Sequence, residues 1–286
     1  MLGTYHLNSL FDILKEIHFI YEPTKLWHYV LEQSCKILQS EAGTFFVASE
    51  DGNTLEVKAA YGVDEGRLKQ IPFRIGQGVC GWVLQYHQPA LVTNVELDNR
   101  FNRGVDAVTG VRTESVLCVP VLSQKRTYGV LELINRKSGQ FGPQDQEFMT
   151  VLGRQTAAAY QNLLLLEEVT HAKTLLQSLL ENMSGCLIAI DKAEQITIMN
   201  SSAAKLLQIT IPEPVGKPAN LVLIDYPWFV QTLRQTLGSK STVSRQEITV
   251  TIQRQEKRVG YTTILITDQQ KNLLGAGIIF QQLTFQ

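Results

Sequence analysis

The sequence predicts an α+β protein of two domains, each an antiparallel sheet flanked by helices, joined by a long helix. Its 286 residues suit about two domains of ordinary size. Strand-like segments in the first half follow one another in pairs, which is typical of antiparallel sheets rather than a βαβ repeat. A stretch without proline, residues 144–182, precedes a second group of strands and predicts the connecting helix.

The chain begins with two predicted helices and a hairpin. Apolar residues recur at helical spacing over residues 7–20, and Pro23 starts a second periodic segment. Two apolar segments, residues 43–48 and 55–59, flank the turn Asp51-Gly52, which is typical of a β-hairpin.

The rest of the first half is expected to be rich in loops, with one helix at residues 79–86. Apolar and β-branched residues then predict two more strands, at 114–121 and 127–134. The first half therefore has the order helix, helix, hairpin, loops, hairpin, helix.

The second half predicts two strands, short helices and a three-stranded meander. Asn200 is expected to cap a short helix. The predicted segments are strands at 186–190 and 195–199, a helix at 227–237, and strands at 246–254, 258–266 and 273–281.

Apolar residues near the end of the long helix recur every seven residues. This pattern predicts a parallel coiled-coil homodimer, in which one lysine at a core position fixes the register. The alternative is that the stripe packs on its own domain. The positions concerned are Leu166, Val169, Lys173, Leu176, Leu180 and Met183.

Composition excludes several classes of function. The net charge of −1 disfavours a nucleic-acid partner, and no apolar run is long enough for membrane insertion. The four cysteines are scattered and the histidines show no metal-ligand spacing, so no metal site is expected. The chain has no hydrolase, kinase or phosphate-loop motif. We therefore expect a cytoplasmic protein that is not an enzyme.

Several motifs of the first half occur in the order found in GAF domains. The chain resembles the GAF domains of cyclic-nucleotide phosphodiesterases and cyanobacterial adenylate cyclases over about residues 5–165, and we assign the first domain to residues 1–165. The motifs are G-Q-G-V-C-G-W-V at 76–83, V-T-N at 92–94, D-N-R-F-N at 98–102, V-D at 105–106, T-G at 109–110, R-T at 112–113 and S-V-L-C-V-P at 115–120.

The end of this domain is similar to the N-K…F-x-x-x-D-E signature of the same subfamily. The matching residues are Asn135, Arg136, Phe141 and Asp145. Arg136 stands where relatives have lysine, and Gln146 where they have glutamate.

Residues 175–286 resemble a PAS domain. The resemblance rests on four segments: L-I-A-I-D at 187–191, N-S-S-A-A-K-L-L at 200–207, V-G-K at 215–217 and the closing segment from Gly275 to Thr284. Both assigned domains overlap a connecting signalling helix at 144–182. The boundary between the domains is therefore expected within this helix, near residue 170.

The GAF resemblance implies a ligand pocket. Glycines at 76, 78 and 81 precede or begin a helix, whose free N–H groups suit a phosphate. The resemblance implies that phosphate meets this helix, that a lid supplies hydroxyl and carboxylate groups, and that a strand below contacts base or ribose. The implied pocket residues are Val79, Cys80, Asp106, Thr109, Thr113 and Glu132. The alternative is that no ligand binds: Gly76 and Gly78 form a tight turn, Asp106 caps a helix and Glu132 points outward into solvent.

Cofactors other than a small ligand are not expected. The cysteines Cys80 and Cys118 are not followed by histidine, so a covalently attached bilin is not expected. The PAS half lacks a histidine after His171 for haem, and Cys186 is misplaced for a flavin photosensor. The candidate ligands are cAMP or cGMP, another small molecule, or none.

These observations lead to one hypothesis and two alternatives. The hypothesis is a bacterial sensor that binds a small ligand in the GAF domain. It is expected to signal through a dimeric helix and the PAS domain to an output domain absent from this chain, a two-component histidine kinase or a nucleotide cyclase, or to a partner kinase. One alternative is a ligand-free dimerisation module. The other is a thiol redox enzyme like free methionine sulfoxide reductase, working through Cys80 and Cys118.

Overall fold

A computed structural model describes residues 3–49, 53–124, 126–252 and 255–283. The chain divides into two compact units between Val169 and Thr170. Each unit contains one antiparallel sheet flanked by helices, so the predicted fold class is confirmed. The predicted turn Asp51-Gly52 and the residues Arg254 and Thr284 lie outside the described residues.

The first unit is built on six strands in the order β3-β2-β1-β6-β5-β4. The predicted pairs β1–β2 and β5–β6 are confirmed, and β6 also pairs with β1 in the centre of the sheet. The two shortest strands were not predicted. The strands are β1 (Ser40–Ala48), β2 (Thr54–Tyr61), β3 (Phe73–Arg74), β4 (Ala90–Val92), β5 (Val116–Leu122) and β6 (Thr127–Arg136).

Helices cover both faces of this sheet and give it two apolar cores. The first helix ends at Ile17, not at residue 20, and the chain is extended at Glu22 before Pro23 begins the second helix. The helices are α1 (Thr4–Ile17), α2 (Pro23–Ile37), α3 (Glu65–Leu68), α4 (Gly78–Tyr86) and α5 (Gly104–Thr109), with a 3-10 turn at Val95–Leu97.

The predicted long helix is confirmed as α6 (Pro143–Asn182). Its first part lies in the core of the first unit, where Phe148, Met149 and Leu152 are fully buried. Gly153 permits close packing on the sheet, because a Cβ atom there would lie 2.8 Å from the carbonyl oxygen of Pro120. Among the described residues, no helix combines the length and the apolar character needed to cross a bilayer.

The second unit has five strands in the order β8-β7-β11-β10-β9, which confirms the predicted meander. Its core contains Phe229, Leu233 and Phe280. Asn200 caps α7 as predicted, since its side chain accepts a hydrogen bond from the Ala203 N–H. The elements are β7 (Cys186–Asp191), β8 (Ile196–Met199), α7 (Ser201–Leu206), α8 (Ala219–Val222), α9 (Pro227–Ser239), β9 (Gln246–Ile252), β10 (Gln255–Thr267) and β11 (Leu273–Gln282).

Candidate functional site

The first unit contains a cavity of about 80 Å³ between the sheet and the segment that carries α4 and α5. The six residues that the sequence assigned to a ligand pocket all line it: Val79, Cys80, Asp106, Thr109, Thr113 and Glu132. The fold therefore brings together residues that lie up to 53 positions apart in the chain, from Val79 to Glu132. Their contact with a ligand stays a prediction.

One end of the cavity is the start of α4. Gly76 and Gly78 both have positive φ, 79° and 70°, and form the turn that leads into the helix. Gln77, which precedes the helix, gives no side-chain cap. The first N–H groups of a helix have no partner within it, so those of Gly78, Val79 and Cys80 are donors beside the cavity. This end suits an anion.

The floor of the cavity includes the Glu132 carboxylate and the Cys80 thiol, and the thiol of Cys118 lies next to Cys80. Glu132 on β6 lies opposite Cys118 on β5 in the strand register. Cys80 Sγ, from α4, donates a hydrogen bond to Glu132 Oε1 at 2.8 Å, and Cys118 Sγ lies 3.8 Å from Cys80 Sγ. The alternative that Glu132 points into solvent is therefore wrong.

Burial changes the acidity of all three groups. It raises the pKa of the Glu132 carboxyl, which the nearby charge of Asp106 raises further. Burial also raises the pKa of Cys118 and raises that of Cys80 well above its usual value. Both cysteines are therefore neutral thiols at pH 7.

The segment from α5 to Thr113, here called the lid, covers the cavity. A pair of residues, Asp106 and Thr113, holds it closed. The Asp106 carboxylate on α5 accepts hydrogen bonds from Thr113 N and Thr113 Oγ1 at 2.9 and 2.7 Å. Thr109 Oγ1 donates to the Val105 carbonyl within the same helix at 3.1 Å. The polar groups of the lid thus satisfy one another in this conformation.

The cavity is acidic. Its described lining includes the carboxylates of Asp106 and Glu132 but no lysine, arginine or histidine. Arg100 acts electrostatically on Cys118 but does not line the cavity. Its guanidinium makes two hydrogen bonds to Asp98 and lies 4.4 Å from the centre of the Trp82 ring.

Sequence reasoning missed most of the apolar lining, including Phe73, Phe101 and Val105. Phe101 belongs to the D-N-R-F-N motif, which could have indicated it. Phe73 is on the two-residue strand β3, whose position depends on pairing with Thr54 and Leu55 rather than on any local pattern.

The signature residues lie outside the cavity and connect its surroundings to α6. The side chain of Asn135 accepts from Glu114 N and donates to the Arg112 carbonyl, so it ties the segment after the lid to the end of β6. Arg136 Nη1 lies 2.5 Å from the buried carboxylate of Asp145, which also accepts from Gly142 N. Phe141 is buried in the core.

The predicted dimer helix is exposed along its second half. Leu166, Val169 and Leu176 have 53%, 64% and 60% of their surface accessible, and Lys173 is exposed. Met183 does not belong to the helix, which ends at Asn182; its carbonyl accepts a hydrogen bond from Ser202 Oγ. Leu180 is partly buried, and its carbonyl accepts from Asn200.

Comparison with family models assigns each half of the chain to a known domain family. A GAF domain model matches residues 22–160, and a PAS fold model matches residues 174–283. The chain carries a GAF domain followed by a PAS domain. Its resemblance to both families is confirmed, and the cavity belongs to the GAF domain.

Several relatives carry names of cyclic-nucleotide enzymes. A probable 3',5'-cyclic phosphodiesterase, pde-5, of Caenorhabditis elegans is 25% identical over 79% of the chain and 30% of its own length. A dual 3',5'-cyclic-AMP and -GMP phosphodiesterase 11 of Drosophila melanogaster is 26% identical over 46% of the chain and 10% of its own length. The chain thus spans less than a third of these relatives.

Solved structures share the fold at low identity. The GAF domain of a phosphoenolpyruvate-protein phosphotransferase from Coxiella burnetii is 17% identical, with a TM-score of 0.53, over 58% of this chain and 99% of its own. The E. coli DhaR(N)-DhaL complex contains a chain that is 16% identical, with a TM-score of 0.51, over 98% of this chain and 90% of its own.

Proposed function

We propose that the chain is a sensory module whose GAF domain binds a cyclic nucleotide, cAMP or cGMP. The observation that carries this proposal is the polarity of the cavity: free N–H groups of α4 at one end and the Glu132 carboxylate on its floor. The N–H groups would hold the phosphate. The carboxylate would accept hydrogen bonds from amino groups of the purine. The names of the phosphodiesterase relatives support this ligand class.

Binding requires the lid to open. The cavity of about 80 Å³ is smaller than the roughly 300 Å³ at which pockets for drug-sized ligands begin. The Asp106–Thr113 pair closes the lid over it. We propose that the ligand selects a state in which this pair separates and α5 moves outward, which shifts the population of two conformations.

The Glu132→Gln variant tests the proposed contact. A charged acceptor contributes more than a neutral one, so we expect the affinity for the preferred cyclic nucleotide to fall about tenfold. Isothermal titration calorimetry with cAMP and cGMP measures it. Glu56→Gln is the matched control, because Glu56 is an exposed carboxylate of the same domain paired with Lys58. No heat with either nucleotide at millimolar concentration would reject the ligand, and equal affinity in Glu132→Gln would reject the contact.

We further propose that the module is a parallel homodimer along the second half of α6. The exposed leucines and Val169 form an apolar strip whose exposure to water is unfavourable. The same helix of a second copy of the chain would bury it. The exposed Leu165, Leu175 and Leu179 widen this strip beyond the predicted positions. Ligand binding would alter the register or angle of this helix. That change would alter the activity of an output domain or partner, a histidine kinase or a nucleotide cyclase.

Val169→Glu and Leu176→Glu test the dimer, since each places a charge in the apolar strip. We expect each to weaken self-association at least about tenfold, measured as mass against concentration by light scattering. His171→Glu is the control, because His171 lies on the opposite side of the seven-residue repeat. A wild-type monomer at all concentrations would contradict the proposal. A dimer without nucleotide binding would favour the ligand-free dimerisation module.

We do not propose a thiol redox enzyme. The sulfurs of Cys80 and Cys118 do lie 3.8 Å apart, as that hypothesis needs. However, thiol chemistry requires the thiolate, and burial raises the pKa of both groups. The chain is proposed to sense a ligand rather than to convert one.

A further inference from the structure

We propose that Cys80, Cys118 and Glu132 form a binding site for a divalent metal ion of the zinc type. The donors would be two sulfurs and one carboxylate oxygen, and the fourth position would face the GAF cavity. This inference goes beyond the proposed function, because no nucleotide is needed for it.

The spacing of the donor atoms suits one ion. One ligand atom from each of the three residues lies within 4.8 Å of the others. The two sulfurs are 3.8 Å apart, and two sulfurs at about 2.3 Å from a tetrahedral zinc would be separated by about the same distance. Oxygen and sulfur ligands of one zinc ion lie about 3.5 Å apart. The Glu132 oxygen, now 2.8 Å from Cys80 Sγ, would move away from that sulfur by about 0.7 Å.

The fold holds the three residues in place. Cys118 and Glu132 are register partners on neighbouring strands, so their side chains leave the same face of the sheet. Cys80 reaches them from α4, which packs tightly on the backbone before it. A Cβ atom at Gly81 would lie 2.3 Å from the carbonyl oxygen of Arg74. The site therefore needs little ordering when an ion binds.

The charge at the site favours a cation. Among the described residues, the Glu132 carboxylate accepts a hydrogen bond from the thiol of Cys80 only. Asp106 adds a second negative charge to the cavity. The Glu132 carboxylate is partly buried, and a carboxylate withdrawn from water without a counter-charge is unfavourable. A divalent ion that displaces the two thiol protons to solvent leaves a site with two thiolates, one carboxylate and a net charge of −1.

The donor set selects among metals. Thiolates favour zinc and similar ions over calcium and magnesium, which prefer oxygen ligands. Three protein ligands and one open position are the arrangement of zinc sites that bind a water molecule or an exogenous ligand. Cys80 and Glu132 line the cavity, so the open position would be accessible from it.

Cobalt(II) provides the test. The full chain is treated with a chelator under reducing conditions and titrated with Co²⁺ without nucleotide. We expect one ion per chain, a thiolate-to-cobalt charge-transfer band and the intense visible bands of a tetrahedral site, all removed by Zn²⁺. Cys118→Ser should lower the affinity by more than the about 100-fold that loss of an outer-shell partner costs. Glu132→Gln should weaken binding but keep the charge-transfer band.

Cys35→Ser is the matched control, because Cys35 is a buried thiol of the same domain outside the cluster. It should bind Co²⁺ like the wild type. Circular dichroism confirms that each variant is folded. Absence of a charge-transfer band in the folded wild type would overturn the proposal, as would equal affinity in Cys118→Ser. Nucleotide titration of the chelated protein separates this result from failure of the proposed function.

Discussion

Gly129→Ala is expected to lower the free energy of unfolding of the GAF domain by about 3 to 5 kcal/mol. Gly129 lies on β6 opposite Val47 of β1, in the centre of the sheet. A Cβ atom there would lie 1.9 Å from the carbonyl oxygen of Phe46. That oxygen belongs to the backbone, so two paired strands must separate to admit one methyl group. The same two strands carry Thr44 and Glu132 of the cavity.

Chemical denaturation followed by tryptophan fluorescence measures the effect. In a Trp228→Phe background the remaining tryptophans are Trp27 and Trp82, both in the GAF domain, so the signal reports that domain alone. Gly142→Ala is the control, because a Cβ atom at Gly142 meets only Asp145 Oδ2, at 3.9 Å. We expect the control to change stability by no more than about 1 kcal/mol. If Gly129→Ala lowers the free energy of unfolding by less than about 1 kcal/mol, the two strands separate at little energetic cost and the prediction is wrong.

The sequence predicts the long elements of the fold well, because their periodicity is repeated many times. Helix α6 and the meander of the PAS domain follow from such patterns. Strands β3 and β4 have two and three residues and show no period. They form because the longer neighbouring strands β2 and β5 provide hydrogen-bonding partners. This pairing is apparent only in the assembled sheet.

The cavity is predicted in part. Resemblance to GAF domains placed six residues around one pocket, and all six line it. It did not indicate that Asp106 would bind Thr113, or that Cys80 would contact both Glu132 and Cys118. Such contacts depend on how α4 and the lid pack on the sheet. A single sequence contains no local signal for them.

The signature residues form a series of contacts that runs from the lid to α6. Asn135 binds the backbone on both sides of Thr113, the residue that closes the lid. The next residue, Arg136, binds Asp145 in the first turn of α6. Opening of the lid would therefore act on the end of β6 and, through one ion pair, on the start of the connecting helix. This is a physical connection, and its energy can be measured.

Asp145→Ala is expected to lower the free energy of unfolding of the GAF domain by about 3 to 4 kcal/mol. The Asp145 side chain is 4% exposed and accepts hydrogen bonds from Arg136 Nη1 and Gly142 N, and His6 Nε2 lies 3.5 Å away. Its removal leaves the half-buried guanidinium without its carboxylate and Gly142 N without its acceptor. Fluorescence in the Trp228→Phe background measures the loss.

Two further variants separate the ion pair from general damage. Asp12→Ala removes an exposed carboxylate of the same domain and should change stability by no more than about 0.5 kcal/mol. Arg136→Ala combined with Asp145→Ala should cost clearly less than the sum of the two single losses, because the double variant leaves no unpaired charge. Additive losses would show that Arg136 and Asp145 act independently, and the connection from the lid to α6 would then need another route.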